Sequence, residues 1–280
     1  MHGVDPGVAV VIWTYGRAAV AAECVRAVLE QTLVPQRVVV VDSASPDGTA
    51  DRLRAEFPTV EVVRLDANEG MGAAIAEGLT RVLGGPEELV WFVEDDAVPA
   101  PDTLARLAQH LTTHHEVEVV GPRGARLRRG RWDWLAASHV GPCDFCMLDG
   151  ALARAAVLRG VEPPRRDFFI MHVDVEYPLR LRRAGVRSFQ LGTVQHGARQ
   201  LGAASRSTEW RAYYQTRNHV RIALEWRSPA MWWGFAVRTL AQVTADVVAG
   251  RRGWRRIGFR ARGLVDGLRG RMGQTVQPTG

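Results

Sequence analysis

Short apolar runs alternate with amphipathic segments in the first half of the chain. The apolar runs are Val8–Trp13, Arg37–Asp42, Val60–Arg64 and Leu89–Val93, and they are rich in valine without regular polar alternation. Such runs predict strands that are buried on both faces of a sheet. Between them, apolar residues recur at helical spacing, as in Val20–Val28. The alternation predicts an α/β fold with a doubly wound, mostly parallel open sheet whose first half is Rossmann-like.

The pattern changes twice farther along the chain. Residues 122–227 hold an Arg- and Trp-rich loop, a predicted helix over Ala151–Leu158 and a predicted strand over Ser188–Gln195. Residues 228–280 hold bulky apolar residues and then a basic segment, which predicts helices. We therefore expect one domain made of two halves, residues 1–121 and 122–227, followed by a C-terminal helical appendage.

Charge is distributed unevenly along an otherwise ordinary globular composition. Hydrophobic residues make up 46% of the 280 residues and charged residues 24%, which excludes wholesale disorder. All 36 basic residues are arginine; nine of them lie in residues 228–280 beside two aspartates, which gives that region a charge of +7. Residues 1–227 carry 27 arginines and 28 acidic residues, a charge of −1. A body of this kind does not predict binding to nucleic acid.

The cysteine content and the N-terminus bear on the cellular compartment. Three cysteines suit a reducing environment, and the pair Cys143 and Cys146 lacks a second Cys or His pair at zinc-finger spacing, which favours packing over metal binding. The first residues show neither a basic segment nor an apolar one of the signal-peptide type. Nowhere are 18 consecutive apolar residues found. We expect a cytoplasmic protein.

Polar side chains follow the ends of the predicted strands. They are Thr14, Tyr15, Asp42, Asn68 and the triplet Glu94, Asp95 and Asp96. Ligands of open α/β sheets collect outside the carboxyl ends of the strands, so these side chains should converge on one crevice. Three adjacent carboxylates repel one another unless a cation lies between them, and hard oxygen ligands suit Mg²⁺ or Mn²⁺. The alternative is an acidic turn that caps the next helix.

Asp174 and Glu176 lie where a helix begins, because Pro178 belongs in a first turn. The helix dipole favours an anionic carboxylate there, as a general base requires at neutral pH; simple capping is the alternative. His196 follows the last predicted strand and is either a metal ligand or a structural histidine.

Two other segments carry weaker signals. The turn Asn68–Gly72 opens a helix, and its glycines allow backbone N–H groups to approach a phosphate, although a plain strand-to-helix turn explains it equally well. Trp132 and Trp134 flank Asp133 in a basic loop, which either forms an edge that binds an acceptor or packs as an ordinary loop.

In their order and spacing, these motifs resemble glycosyltransferase family 2 on a GT-A fold. The resemblance covers about residues 8–200 and rests on Val11–Arg17, Val40–Thr49, Asn68–Gly72, Trp91–Pro99 and Phe168–Gly185. The segment around Asp174, with Tyr213–Asn218, is most similar to the rhamnosyltransferase and galactofuranosyltransferase branch. The sequence departs from the family pattern at Gly16, Val173 and Glu94, which bears on the donor more than on the reaction class.

The resemblance implies an inverting, metal-dependent transferase. The donor would be a nucleoside diphosphate sugar of the dTDP-rhamnose, UDP-hexose or UDP-galactofuranose type, held by residues 1–121, and residues 122–227 would bind the hydroxyl acceptor of a glycan, glycolipid or natural product. Asp174 would be the base, Asp96 the principal ligand of Mn²⁺ or Mg²⁺, and His196 a further ligand. The implied nucleotide-sugar-binding residues are Thr14, Tyr15, Arg17, Asp42, Asn68, Gly70, Glu94 and Asp95. Trp132, Trp134 and Glu176 are assigned to the acceptor.

Alternatives to this function remain open. A sugar nucleotidyltransferase, a retaining transferase and a non-catalytic nucleotide-sugar-binding membrane adaptor would use a similar body. Residues 228–280 predict docking on an anionic membrane surface, on the inner face of the cell membrane. Arg238 and Asp246 interrupt the apolar stretch, which favours lying in the interface over spanning. A solvated or self-packing basic helix is the alternative, and the oligomeric state is open, a homodimer included.

Overall fold

The computed structural model describes residues 6–197 and 209–278, and eleven strands and nine helices lie in these ranges. The strands are β1 (Val8–Thr14), β2 (Arg37–Asp42), β3 (Glu61–Arg64), β4 (Leu89–Glu94), β5 (Val119–Gly121), β6 (Gly124–Arg128), β7 (Arg131–Trp134), β8 (Val140–Cys143), β9 (Phe145–Cys146), β10 (Leu152–Arg154) and β11 (Ser188–Leu191). The helices are α1 (Ala18–Leu29), α2 (Thr49–Glu56), α3 (Met71–Leu83), α4 (Thr103–Thr113), α5 (Ala155–Arg159), α6 (Val173–Arg183), α7 (Glu209–Trp226), α8 (Pro229–Val248) and α9 (Arg251–Leu268).

Eight strands form the main sheet in the order β3-β2-β1-β4-β10-β5-β11-β8. The pairs β1–β2, β1–β4, β2–β3 and β5–β11 are parallel, so the mostly parallel sheet predicted from the apolar runs is confirmed. Strand β10 is antiparallel to both of its neighbours. The helix predicted over Ala151–Leu158 is therefore wrong in its first half: Leu152 and Ala153 are buried between β4 and β5, and their backbones complete the sheet there.

The core lies on both faces of this sheet, as valine-rich strands require. All seven residues of β1 are buried, and successive side chains alternate between two apolar clusters. Val10 and Ile12 pack with residues of α1 and α4, whereas Val11 and Trp13 pack with residues of α3 and α6. The sheet thus places the ends of β1, β2 and β4 at one edge between two layers of helices.

A second, three-stranded sheet in the order β7-β6-β9 supports the C-terminal helices. Helix α8 lies against its β6–β7 turn so closely that a Cβ atom on Gly234 would come within 2.1 Å of the carbonyl oxygen of Gly130. Helix α9 lies along α7, where the Tyr213 hydroxyl donates to Asp266 at 2.9 Å and Arg217 donates to the carbonyl of Gly273 at 2.6 Å. The predicted C-terminal helices are therefore present.

The length and hydropathy of the helices were compared with what a membrane-spanning helix requires. Within residues 6–197 and 209–278, none of the helices combines the length and the apolar character that crossing a bilayer needs.

Candidate active site

Backbone register brings the first site residues together. Thr14 is opposite Asp42 in the β1–β2 pair, and Trp13 is opposite Glu94 in the β1–β4 pair. The segments that follow β1, β2 and β4 therefore leave the sheet side by side at one edge. This placement agrees with the convergence expected from the sequence.

Asp95 is fully buried and bound by two protein partners. The Thr14 hydroxyl donates to Asp95 Oδ2 at 2.6 Å, Arg17 Nε donates to the same oxygen at 3.1 Å, and Arg17 Nη2 donates to Oδ1. Burial raises the pKa of Asp95 to about 6, although the Arg17 charge and the Thr14 hydrogen bond favour the ionised form. Asp95 therefore positions Thr14 and the Arg17 guanidinium at the mouth of the crevice.

Glu94, Asp95 and Asp96 form a compact acidic cluster. Each offers a carboxylate oxygen within 4.8 Å of the others. Arg17 Nη1 lies 3.6 Å from Asp96 Oδ2, and Arg17 Nη2 lies 3.9 Å from Glu94 Oε1. Burial, and then the negative charges of Asp149, Asp96 and Asp95, raise the pKa of Glu94 well above its usual range. Three carboxylates beside one guanidinium form an oxygen donor set that suits a hard divalent cation such as Mg²⁺ or Mn²⁺.

Asp149, a residue that the sequence analysis did not identify, joins this cluster to His196. Asp149 Oδ1 accepts the backbone N–H of Glu94 at 2.8 Å and lies 2.7 Å from His196 Nε2. His196 Nδ1 is buried and has no hydrogen-bond partner among the described residues. A metal-binding histidine typically donates its other ring nitrogen to a carboxylate in this way. Among the described residues, the ligand atoms that converge are those of Glu94, Asp95 and Asp96 without His196, so its role as a metal ligand stays a prediction.

Asp174 lies in the first turn of α6. Burial raises the pKa of Asp174; the negative charge of Asp149 raises it further, and Arg123 opposes the change. Asp149 thus interacts electrostatically with both Glu94 and Asp174. The approach to α6 is held by Asn218, which donates to the carbonyls of Ile170 and Met171 at 2.8 and 2.7 Å. The candidate base and the acidic cluster therefore share one electrostatic environment.

Two residues assigned to the acceptor have other partners. Trp132 is 2% exposed and is covered by the Arg238 guanidinium, whose carbon lies 4.2 Å from the ring centre, so loop packing explains it. Glu176 is buried and accepts from Arg180 Nε at 2.6 Å. Residues two apart on a helix point in different directions, so Glu176 does not accompany Asp174 into the site. Trp134 stays half-buried, with the Arg123 guanidinium carbon 4.8 Å from its ring centre.

The other residues predicted to bind the nucleotide differ in burial and in hydrogen bonding. Asp42 is fully buried and accepts from the Ser45 hydroxyl, whereas Tyr15 is exposed. Asn68 Oδ1 accepts the N–H of Gly70 at 3.0 Å.

The backbone N–H groups at the start of α3, directly after this turn, already have hydrogen-bond partners. The N–H groups of Met71 and Gly72 donate to the carbonyls of Phe169 and Phe168. A Cβ on Gly70, whose φ is +90°, would lie 2.0 Å from the Phe169 carbonyl oxygen. The glycines therefore allow α3 to meet the segment before α6, and these two amides are not available to a phosphate.

Arg211 is a site residue that the sequence did not indicate. It lies in the first turn of α7, where burial lowers its pKa, while attraction to Glu94 raises it and repulsion from Arg17 lowers it. Its guanidinium is therefore close enough to the acidic cluster to contribute positive charge. Arg123 and Asp149 were also given no role from the sequence; Arg123 lies between β5 and β6, and Asp149 lies between β9 and β10.

The fold and this site define the class of protein. The sequence pattern described as "Glycosyl transferase family 2" matches residues 9–173, which is more than half of the chain. The chain belongs to that family, and the resemblance seen in its motifs is confirmed.

Two curated relatives are similar over shorter segments. An uncharacterized glycosyltransferase of Nostoc is 29% identical over 116 residues, which are 40% of this chain and 35% of the relative. A "PGL/p-HBAD biosynthesis glycosyltransferase" of Mycobacterium tuberculosis is 28% identical over 118 residues, 41% of this chain and 45% of the relative. The match thus spans less than half the length of these relatives.

Solved structures share the GT-A fold with this chain at low sequence identity. The mannosyltransferase PcManGT of Pyrobaculum calidifontis, in complex with GDP-Man and Mn²⁺, has a TM-score of 0.62 and 20% identity, and the match covers 95% of this chain and 88% of that one. Residues 1–349 of S. aureus TarS, in complex with UDP, have a TM-score of 0.57 and 20% identity over 78% and 65% of the two chains. The chain thus has a GT-A fold with a helical C-terminal part.

Proposed function

We propose that the chain transfers a sugar from a nucleoside diphosphate donor to a hydroxyl acceptor with inversion at the anomeric carbon. The observation that carries this proposal is the position of Asp149. Its carboxylate accepts the backbone N–H of Glu94 and lies 2.7 Å from His196 Nε2, and its negative charge raises the pKa of Asp174. We therefore assign to one crevice an oxygen donor set for a cation and a separate carboxylate that acts as base.

The donor would lie along the ends of β1, β2 and β4. Thr14, Tyr15 and Asp42 would bind the base and ribose, with Asn68 and Gly70 at the side of this pocket. Arg17 and Arg211 would face the diphosphate, because both guanidinium groups lie close to Glu94. The solved relatives bind UDP and GDP-Man, which supports a nucleoside diphosphate donor and leaves both bases open.

The acceptor hydroxyl would approach from the side of α6. Asp174 removes its proton while the oxygen attacks the anomeric carbon from the face opposite the diphosphate. The bond between that carbon and the diphosphate oxygen then breaks, and the electron pair leaves with the nucleotide. A divalent cation held by Asp96, with Glu94 and His196, would offset the charge on the leaving diphosphate. Trp134 lines the acceptor side through its contact with Arg123.

Replacing Asp174 tests the base. General-base catalysis contributes about 10²–10⁴-fold, so Asp174→Asn should lower kcat by about that factor while nucleotide affinity persists. Because burial makes the charged carboxylate costly, the same variant should unfold at a higher temperature than the wild type. Turnover with an NDP-sugar panel, and differential scanning calorimetry, measure the two effects.

Glu176→Gln is the matched control, since it also neutralises a buried carboxylate of α6 but breaks an ion pair with Arg180. It should leave the kcat per folded molecule within a few-fold of the wild type. Near-normal turnover of Asp174→Asn would show that another group is the base. The anomeric configuration of the product, determined by NMR, separates inversion from retention.

Metal dependence is tested by binding as well as by activity. In the presence of UDP or GDP, Mn²⁺ should bind to the wild type, as measured by electron paramagnetic resonance, and Asp96→Asn should weaken that binding by about tenfold or more. Asp102→Asn, an exposed acid six residues farther along, is the control. Full turnover in EDTA, with no Mn²⁺ bound, would contradict the metal assignment.

A further inference from the structure

The solvent side of α8 is apolar along its whole length. Trp233, Leu240 and Val247 are spaced by seven residues, so they lie along one line of the helix, and Val248 lies beside it. Trp233 is 59% exposed, Leu240 69% and Val248 83%. The exposed positions between them are alanine and threonine. We call this set, Trp233, Leu240, Val247 and Val248, the outer stripe; at 1.5 Å per residue it runs for about 20 Å.

The charged residues of α8 point the other way. The Arg238 guanidinium lies over the Trp132 ring and donates to the Trp132 carbonyl at 3.2 Å. Asp246 is buried and accepts from Arg260 Nε at 2.7 Å. The sequence suggested that these two charges interrupt an apolar segment. The structure shows that both face the protein, so α8 presents its apolar side to the surroundings.

A basic, aromatic segment follows the outer stripe along the chain. Arg251, Trp254 and Arg255 are exposed in the first turns of α9, directly after α8, and Trp254 is 63% exposed. Exposed tryptophans thus occur near the start of α8 and in the first turn of α9, and tryptophan side chains concentrate at membrane–water interfaces. Arginines beside an apolar helix face are complementary to anionic headgroups.

We infer that α8 docks on an anionic lipid bilayer, with the outer stripe among the headgroups and upper acyl chains and with Arg251 and Arg255 against the phosphates. A contiguous exposed apolar surface indicates a partner. A second copy of the chain fits less well, because residues 228–280 of each copy carry a charge of +7 and would repel each other. An anionic bilayer satisfies both the apolar and the charged part of the surface.

Docking through α8 would place the candidate base close to the membrane. The inner side of α8 covers Trp132, whose ring centre lies 5.3 Å from that of His172, the residue that precedes α6 and Asp174. An α-helix is about 10 Å thick, and Trp132 and His172 lie behind α8. The acceptor side would therefore be separated from the bilayer by α8 and about one further layer of side chains. This consequence, unlike the docking itself, rests on the proposed function, and it favours a lipid-linked hydroxyl acceptor.

The docking is tested by flotation of the full chain with vesicles of phosphatidylcholine, with and without about 30% phosphatidylglycerol. Wild-type chain should float with the anionic vesicles and far less with the neutral ones. Leu240→Gln combined with Val247→Gln should lower the partition coefficient by about tenfold or more. The matched control combines Val34→Gln with Val140→Gln, two exposed valines outside the C-terminal helices, and should bind like the wild type.

Charge is tested separately. Arg251→Gln combined with Arg255→Gln should weaken binding to anionic vesicles by about thirtyfold, and Arg52→Gln combined with Arg187→Gln, which removes the same charge elsewhere, by much less. Thermal unfolding and binding of UDP or GDP verify that each variant is folded, and a catalytic failure alone would not alter flotation. Equal flotation of the stripe variant and its control would overturn the inference. So would a dimer in lipid-free solution that depends on Leu240 and Val247 and does not float.

Discussion

Asp149 organises the candidate site although it is assigned no reaction step. Its carboxylate accepts a backbone N–H from the residue that begins the acidic cluster and holds His196. Its negative charge also raises the pKa of Asp174, which strengthens that carboxylate as a base. This buried carboxylate joins three segments: the end of β4, the loop before β10 and the segment after β11.

Arg211 is the residue of α7 that we expect to bind the donor diphosphate. If its guanidinium binds the diphosphate, Arg211→Gln should weaken donor binding by about 10- to 100-fold, the usual size of a charge-assisted hydrogen bond. Isothermal titration with UDP and GDP, and KM for the donor, measure this effect, and Arg211→Lys should restore part of it.

The control for Arg211 lies on the same helix. Arg221→Gln removes an arginine of α7 that pairs with Glu225 at 3.0 Å and should leave the nucleotide affinity unchanged. Equal affinities of the Arg211→Gln variant and the wild type would exclude contact between Arg211 and the diphosphate.

Helices α6, α7 and α8 meet around two buried histidines. His172 and His219 lie 5.6 Å apart between ring centres, and Trp132 and Phe235 pack against them. Burial and the nearby positive charge of Arg238 lower the pKa of His172 to about 3, and burial lowers that of His219 well below its usual value. Both rings are therefore neutral in the folded protein.

The burial of these two neutral histidines predicts that the folded protein becomes less stable in acid. The unfolded chain binds protons at these histidines below pH about 6.5 and the folded chain does not, so the free energy of unfolding falls as pH falls from there toward about 3. Each histidine contributes a slope of about 1.4 kcal/mol per pH unit in that range. Urea unfolding at several pH values should show that His219→Phe has a shallower slope than the wild type.

An exposed histidine provides the comparison for this slope. His115→Phe should unfold with the wild-type pH dependence. A slope in the His219→Phe variant as steep as that of the wild type would mean that His219 is protonated in the folded state.

At the scale of the whole molecule, we predict that residues 228–280 are needed for stability. Helix α9 covers Tyr213 and Arg217 of α7, which are fully buried, and the Tyr214 hydroxyl donates to the carbonyl of Val276 at 2.6 Å. A chain that ends at Arg227 would leave these polar groups without partners and should lose about 3–5 kcal/mol of unfolding free energy. Chemical denaturation followed by circular dichroism gives the comparison. Unchanged stability after truncation would show that the C-terminal region is an independent appendage.

The periodicity of the sequence predicted the element order of the first half because strands buried on both faces consist of apolar runs. Thr14, Asp42 and the acidic triplet could be placed at one edge because the carboxyl ends of parallel strands meet there. The segment at Asp174 could be located because helix starts have local signals. Strand β10 could not be predicted, since its three residues form a strand only because β4 and β5 leave a gap between them.

What the sequence by itself determined was therefore local: the strands, the motifs that follow them, the start of α6 and the excess of arginine in the last 53 residues. The tertiary structure decided which distant groups meet and which way side chains face. It brought Asp149 to Glu94 and His196, covered Trp132 with Arg238, and turned the charges of α8 inward so that its apolar stripe faces outward. The physical reason is that periodicity reports only the contrast between two sides of an element, whereas packing against elements far along the chain decides which side is buried.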